Sequence, residues 1–224
     1  MHSPALMTFS TEAANFATLR MRMVETQLRA RGISDERVLD AMSRVPRHEF
    51  TPERYRDQAY EDHPLPIAED QTISQPYIVA SMLEALSLAP TDRVLEVGTG
   101  SGYVTALLAE LAAEVVSVER HAMLADGAGK LLARLGYGNL KVVLGDGSQG
   151  VREFAPYDAI LVSAATAELP PALLTQLAEG GRMVIPIGPG DFQRMQLIRI
   201  VKGQPQTTWR EPCRFVPLIS GHDA

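Results

Sequence analysis

The stretch VLEVGTGSGY, residues 94–103, is a short apolar run that climbs into three glycines at alternate positions. The run has the composition of a buried strand, and the segment beyond it, 103–112, reads as a helix. Working outward, further strand-like runs occupy 114–119, 140–146, 157–165, 182–188, 195–203 and 207–219. Helical runs lie between them at about 121–135 and 170–178, and ahead of them from Pro76. The first of these is weakened by Gly127 and Gly129. Continuous apolar strands alternating with helices predict an α/β fold, a doubly wound and mostly parallel seven-stranded sheet covered on both faces. The last two strands have no helix between them and are expected to form an antiparallel edge hairpin.

In such a sheet, ligands bind beyond the carboxyl ends of the strands, so the loop Gly98-Thr99-Gly100-Ser101-Gly102 is the natural site. A dinucleotide fingerprint spaces its glycines G-x-G-x-x-G. Here the spacing is G-x-G-x-G, with Tyr103 where the third glycine would fall. Glu96 stands two residues before the loop, awkward beside a pyrophosphate and favourable beside a cation. S-adenosyl-L-methionine, which carries an ammonium and a sulfonium and no phosphate, fits this pattern. Glu119, at the end of the second strand and about twenty residues beyond Gly98, is placed to accept ribose hydroxyls. Asp146, flanked by Gly145 and Gly147 after the third strand, is placed to accept an adenine amino group. Each feature has a purely structural alternative: a tight strand-to-helix turn for the glycines, and an Asp-Gly turn for Asp146.

The net charge of −6 gives nucleic-acid binding no electrostatic support. No run of apolar residues is long enough for a membrane span, and the N-terminus lacks the pattern of a signal peptide. The single cysteine, Cys213, suits a reducing compartment and reads as a small buried hydrophobe, so a cytoplasmic protein is expected. No metal site is assigned. Residues 12–31 read as a helix ending at Gly32, and Ser34 is expected to cap a second helix that stops before Pro46. Residues 46–75 are proline-rich and irregular, and His48 and His63 are expected in loops or at the surface. The chain is read as one domain, 1–75 forming a helical extension and acceptor-side loop and 76–224 the cofactor core.

Several stretches together resemble the protein-L-isoaspartate O-methyltransferases: MVETQLRARGISDERVLDAMSRVPRHEF, PLPI followed by QTISQPYIVASM, VLEVGTGSGYVTALLA, GDG, APYDAILVSAA, QLAEGGRMVIPIG and RFVPL. The resemblance implies a class I methyltransferase fold, S-adenosyl-L-methionine as cofactor, and the free carboxylate of isoaspartyl residues in proteins and peptides as acceptor. It places Ser74, with Thr72 beside it, in the acceptor site, and it assigns Glu96, Glu119 and Asp146 with Gly147 to the cofactor. Ser74 is also positioned to cap the helix that begins at Pro76. The chain departs from the family where it reads PIAEDQTIS: Ala68 and Asp70 stand in place of two glycines, and Glu69 adds an acid. An acid directed into the acceptor site would repel an anionic substrate. Two alternatives stay open on that ground: a methyltransferase with a different acceptor, and a non-catalytic cofactor-binding module.

Overall fold

The computed structural model describes residues 15–190 and 192–221. The first three residues of the helix expected over 12–31 lie outside them. Helix α1 covers 15–23 and runs on through a wider turn, Val24–Leu28, and a tighter one, Arg29–Arg31. It ends at Gly32, whose φ of 96° closes the helix as expected. The cap of α2 (Glu36–Arg44) is a correction: Asp35, not Ser34, accepts from the N–H groups of Arg37 and Val38. Ser34 lies one residue too early to reach them, and its N–H and hydroxyl bind the Glu84 carboxylate instead.

The irregular region after Pro46 folds into two short tight helices, Arg47–Phe50 and Glu53–Gln58, and a small hairpin of β1 (Leu65–Pro66) and β2 (Thr72–Ile73). Helix α3 (Pro76–Leu86) follows with Gln75 at its N-cap and no capping bond from that side chain. Asp62 fills the role from a distance by accepting the Tyr77 N–H at 3.0 Å. The expected cap by Ser74 is therefore absent; Ser74 precedes Gln75, and a residue brought in by the chain fold holds the free N–H.

The core then alternates: β3 (Arg93–Val97), α4 (Tyr103–Leu111), β4 (Glu114–Glu119), α5 (Ala122–Arg134), β5 (Leu140–Leu144), β6 (Tyr157–Val162), α6 (Pro171–Leu174), β7 (Leu177–Ile187), β8 (Gln193–Val201) and β9 (Gln204–Cys213). The sheet order is β5-β4-β3-β6-β7-β8-β9, parallel through β7 and antiparallel over the last two pairings. This is the expected seven-stranded doubly wound sheet with its edge hairpin. Helix α5 forms in full because Leu124, Ala128 and Leu132 bury one stripe while Gly127 and Gly129 face open space. Helix α6 is shorter than expected: β7 starts at Leu177, where the Gln176 carbonyl accepts the Tyr157 N–H and draws the chain into the sheet. The expected strand over 207–219 stops at Cys213. Beyond it the chain turns across the strand tips, where Val216 O accepts from Ala165 N and Leu218 N donates to Ala165 O.

Strand alternation divides the core. Val94, Val115 and Ala159 pack on the face that holds the N-terminal helices, and Leu95, Val116 and Ile160 on the other. Among the described residues, no helix is long and apolar enough to cross a membrane.

Candidate active site

The chain leaves β3 toward β4 and β5 on one side and crosses to β6 on the other. Strand order therefore reverses between β3 and β6. At the carboxyl ends of these strands lies a cleft. The glycine loop forms its floor, and Gly98, Gly100 and Gly102 have φ of 93°, 54° and 88°. These left-handed values explain the alternate glycines, since other residues adopt them at a cost. Gly147 lines the cleft and lies against Val97, where a Cβ would come within 2.5 Å of a Val97 methyl, so the close approach of the chain to β3 requires glycine.

The carboxylates that the sequence grouped together separate here. Glu119 lines the cleft and is 5% exposed. Its two oxygens accept from the N–H groups of Gly100 and His121, each at 2.9 Å. That bond settles what the glycine loop can hold. One of the amides that would face a phosphate is already bound to a carboxylate, and a second anion there would be repelled.

Glu96 does not line the cleft. Strand alternation places it on the Val94 face, fully buried beneath α4. Its Oε2 accepts from the Thr105 hydroxyl at 2.5 Å and the Ser117 hydroxyl at 2.6 Å. Ser117 uses its single proton there, so the Thr99 hydroxyl, 2.6 Å away, must donate to Ser117. Burial pushes the Glu96 carboxyl up to about 8. Its other oxygen, Oε1, is buried and has no partner among the described residues. Through this chain Glu96 anchors Thr99 of the glycine loop from below.

Asp146 is likewise turned from the cleft. It accepts from the Ser148 N–H, capping a tight turn, and from the Gly221 N–H at 2.9 Å. Burial pushes its carboxyl up, but the N–H bonds from Gly221 and Ser148 and the Ser148 hydroxyl hold it below the usual range. Asp146 thus ties down the segment that carries Val216 to Ile219 across one wall of the cleft.

The β1–β2 hairpin, which the resemblance assigns to the acceptor, also borders the cleft. Thr72 and Ser74 both line the cleft. The turn at Ala68–Gln71 is closed by Gln71 N donating to Ala68 O, with Glu69 and Asp70 at φ of 56° and 53°. This is the pattern of a type I′ turn, which explains why glycine suits this position and why an aspartate is tolerated. Neither acid lines the cleft: Asp70 is exposed, and Glu69 reaches sideways to His121.

Known proteins resemble this chain over most of its length. A family model described as protein-L-isoaspartate(D-aspartate) O-methyltransferase matches residues 20–223. The chain is 57% identical to a protein-L-isoaspartate O-methyltransferase of Koribacter versatilis, over 95% of this chain and 96% of that one. It is 57% identical to one of Methanoculleus marisnigri, over 89% and 91%. This chain belongs to the protein-L-isoaspartate O-methyltransferase family. A Plasmodium falciparum crystal structure assigned to the same family, in complex with S-adenosyl-L-homocysteine, superimposes with a TM-score of 0.78 at 29% identity, covering 89% of this chain and 98% of that one.

In this member of the protein-L-isoaspartate O-methyltransferase family, the cleft is also lined by residues that the sequence pattern did not single out. His121, Ser163 and Val216 to Ile219 also line the cleft. RFVPL was a mark of resemblance without a role; the fold makes it a wall. His121 carried no signal, because only the turn after β4 brings it to the mouth. The histidine expectations change in part. His63 sits in a loop beside Glu61, but His48 is half-buried, stacked on Phe16 and 2.6 Å from the Tyr60 hydroxyl. Burial pushes the Cys213 thiol up to about 11, which makes it a poor nucleophile.

Proposed function

We propose that this cleft aligns an acceptor carboxylate, held by Ser74 and Thr72, with a methyl donor held by the glycine loop, Glu119 and Gly147. The chain is an S-adenosyl-L-methionine-dependent carboxyl methyltransferase acting on isoaspartyl residues, a protein-repair activity. One observation carries the assignment of roles. The hairpin residues Thr72 and Ser74 and the Glu119 residue line the same cleft, with a loop whose amide already serves a carboxylate.

When bound, S-adenosyl-L-methionine supplies a methyl group on a sulfonium that is already a good leaving group. The protein's residues fit it: Glu119 offers acceptor oxygens for ribose hydroxyls, and Gly147 puts backbone without a side chain in the same cleft. The acceptor carboxylate is ionised near neutral pH and needs no base. The work left to the chain is alignment and exclusion of water. The Ser74 hydroxyl donates to the carboxylate and turns one oxygen toward the methyl group. The helical extension and hairpin over 1–75 and the core over 76–224 act as one domain in this reading. The single cysteine supports a cytoplasmic setting.

The test is incubation with labelled cofactor and an isoaspartyl peptide beside its aspartyl twin. A base-labile methyl ester on the isoaspartyl peptide alone is expected. Ester on neither peptide, with cofactor binding intact, would overturn the reading.

A further inference from the structure

A methyl acceptor that is part of a polypeptide must leave the cleft through a channel wide enough for its neighbours. A groove of about 740 Å³ adjoins the cleft and shares Thr72, Val216, Pro217 and Leu218 with it. One side of the groove is formed by Thr166, Ala167 and the turn at 188–190, the other by 214–218. We infer that Gln193 is a positioning residue for the polypeptide flanking the isoaspartyl acceptor, because it holds these two walls together. This inference rests on the acceptor proposed above.

Gln193 opens β8, is 6% exposed and lines the groove. Its Nε2 donates to Gly190 O at 2.7 Å in one wall and to Phe215 O at 3.0 Å in the other. Its Oε1 accepts from the Phe215 N–H at 2.6 Å. One side chain thus satisfies both backbone groups of Phe215, as a neighbouring strand would, and ties them to the turn. The turn is fixed at its other end by Gly188, whose N–H donates to Thr166 O at 3.0 Å. Gly188 leaves no room for a side chain, since a Cβ would lie 2.1 Å from Phe192 O. A groove with both walls pinned meets its occupant without paying to order them. The walls between the pins are mostly apolar, suited to a partly unfolded segment rather than to one fixed sequence.

The experiment compares wild type with Gln193→Leu, Gln193→Glu and Ala167→Trp. The readouts are KM for an isoaspartyl peptide, KM for the cofactor, kcat, affinity for S-adenosyl-L-homocysteine and thermal unfolding. Leucine removes all three bonds, and glutamate keeps only the acceptor. Both are expected to raise the peptide KM by about tenfold or more, with kcat and homocysteine-product affinity within about twofold. Ala167 is exposed, so tryptophan there narrows the groove without touching the clamp. It is expected to raise the peptide KM with unfolding unchanged. If a Gln193 variant loses its fold, the Ala167 variant decides alone. An unchanged peptide KM in Ala167→Trp, or equal losses in peptide KM, cofactor KM and kcat for the Gln193 variants, would overturn the inference. Wild-type protein that forms no ester would overturn the acceptor reading itself, and the wild-type control separates that failure from the first.

Discussion

The Glu69 carboxylate lies 3.6 Å from the His121 ring, linking the acceptor hairpin to the loop that follows β4. The two side chains are 35% and 27% exposed, and pairs of this kind contribute about 0.2–1 kcal/mol. Glu69→Gln should therefore weaken S-adenosyl-L-homocysteine binding by no more than about fivefold. Calorimetric titration of wild type and variant checks this; a loss well beyond fivefold would contradict it.

Replacing Ala68 and Asp70 together by glycine restores the family pattern in the turn. Glycine relieves the left-handed strain at Asp70 but frees the unfolded chain, and the two effects oppose each other. Stability should move by less than about 1 kcal/mol. Because neither side chain lines the cleft, kcat/KM for an isoaspartyl peptide should stay within about twofold of the parent. Activity that appears only in the glycine variant would instead mean that the AED turn redirects the acceptor site.

Ser74→Ala removes a donor to a charged oxygen, worth about 1.5–3 kcal/mol. A loss of about 10- to 150-fold in kcat/KM is expected. Thermal unfolding should hardly change, since Gln75 occupies the N-cap of α3 and Asp62 accepts the free N–H. By contrast, Asp62→Ala should cost about 0.5–2 kcal/mol of stability, the usual loss for a cap. A reversed pattern, with Ser74→Ala unfolding early and turning over normally, would return Ser74 to a structural role.

Glu119→Gln keeps one acceptor oxygen of the two that bind Gly100 and His121. Cofactor-product affinity should fall by about tenfold or more, while NAD should give no thermal stabilisation to either form. Differential scanning fluorimetry with each ligand reads both; stabilisation by NAD would revive a dinucleotide site.

Glu96 makes stability depend on pH in an unusual direction. Its carboxyl titrates at about 8 in the fold and at 4.5 when free, with burial the first cause. Between those values the folded state binds more protons, so stability falls as pH rises, by up to about 1.4 kcal/mol per unit. Glu96→Gln removes this slope and keeps an oxygen for Thr105 and Ser117. Unfolding followed from acid to mildly alkaline pH should give a flatter curve for the variant. Parallel curves would show that Glu96 holds no such proton.

The sheet and its glycine turn were legible in the chain, because each depends on local spacing. Apolar runs alternate with helices, glycines fall where φ turns positive, and QTIS follows a turn. The order of residues also put Glu119 at the tip of its own strand, where it lines the cleft. The division of labour among the three acids was not legible. A strand buried on both faces shows no alternation of polarity, so nothing local tells which way Glu96 points. Only the packing of α4 against β3 sends it down to Thr105, and only the return of the C-terminal segment gives Asp146 to Gly221. The groove clamp at Gln193 is of the same kind: its partners lie near it in sequence at Gly190 and far from it at Phe215. Local chemistry determines which elements form and which loop can hold a cation; contacts between distant segments decide which side chain reaches the cleft.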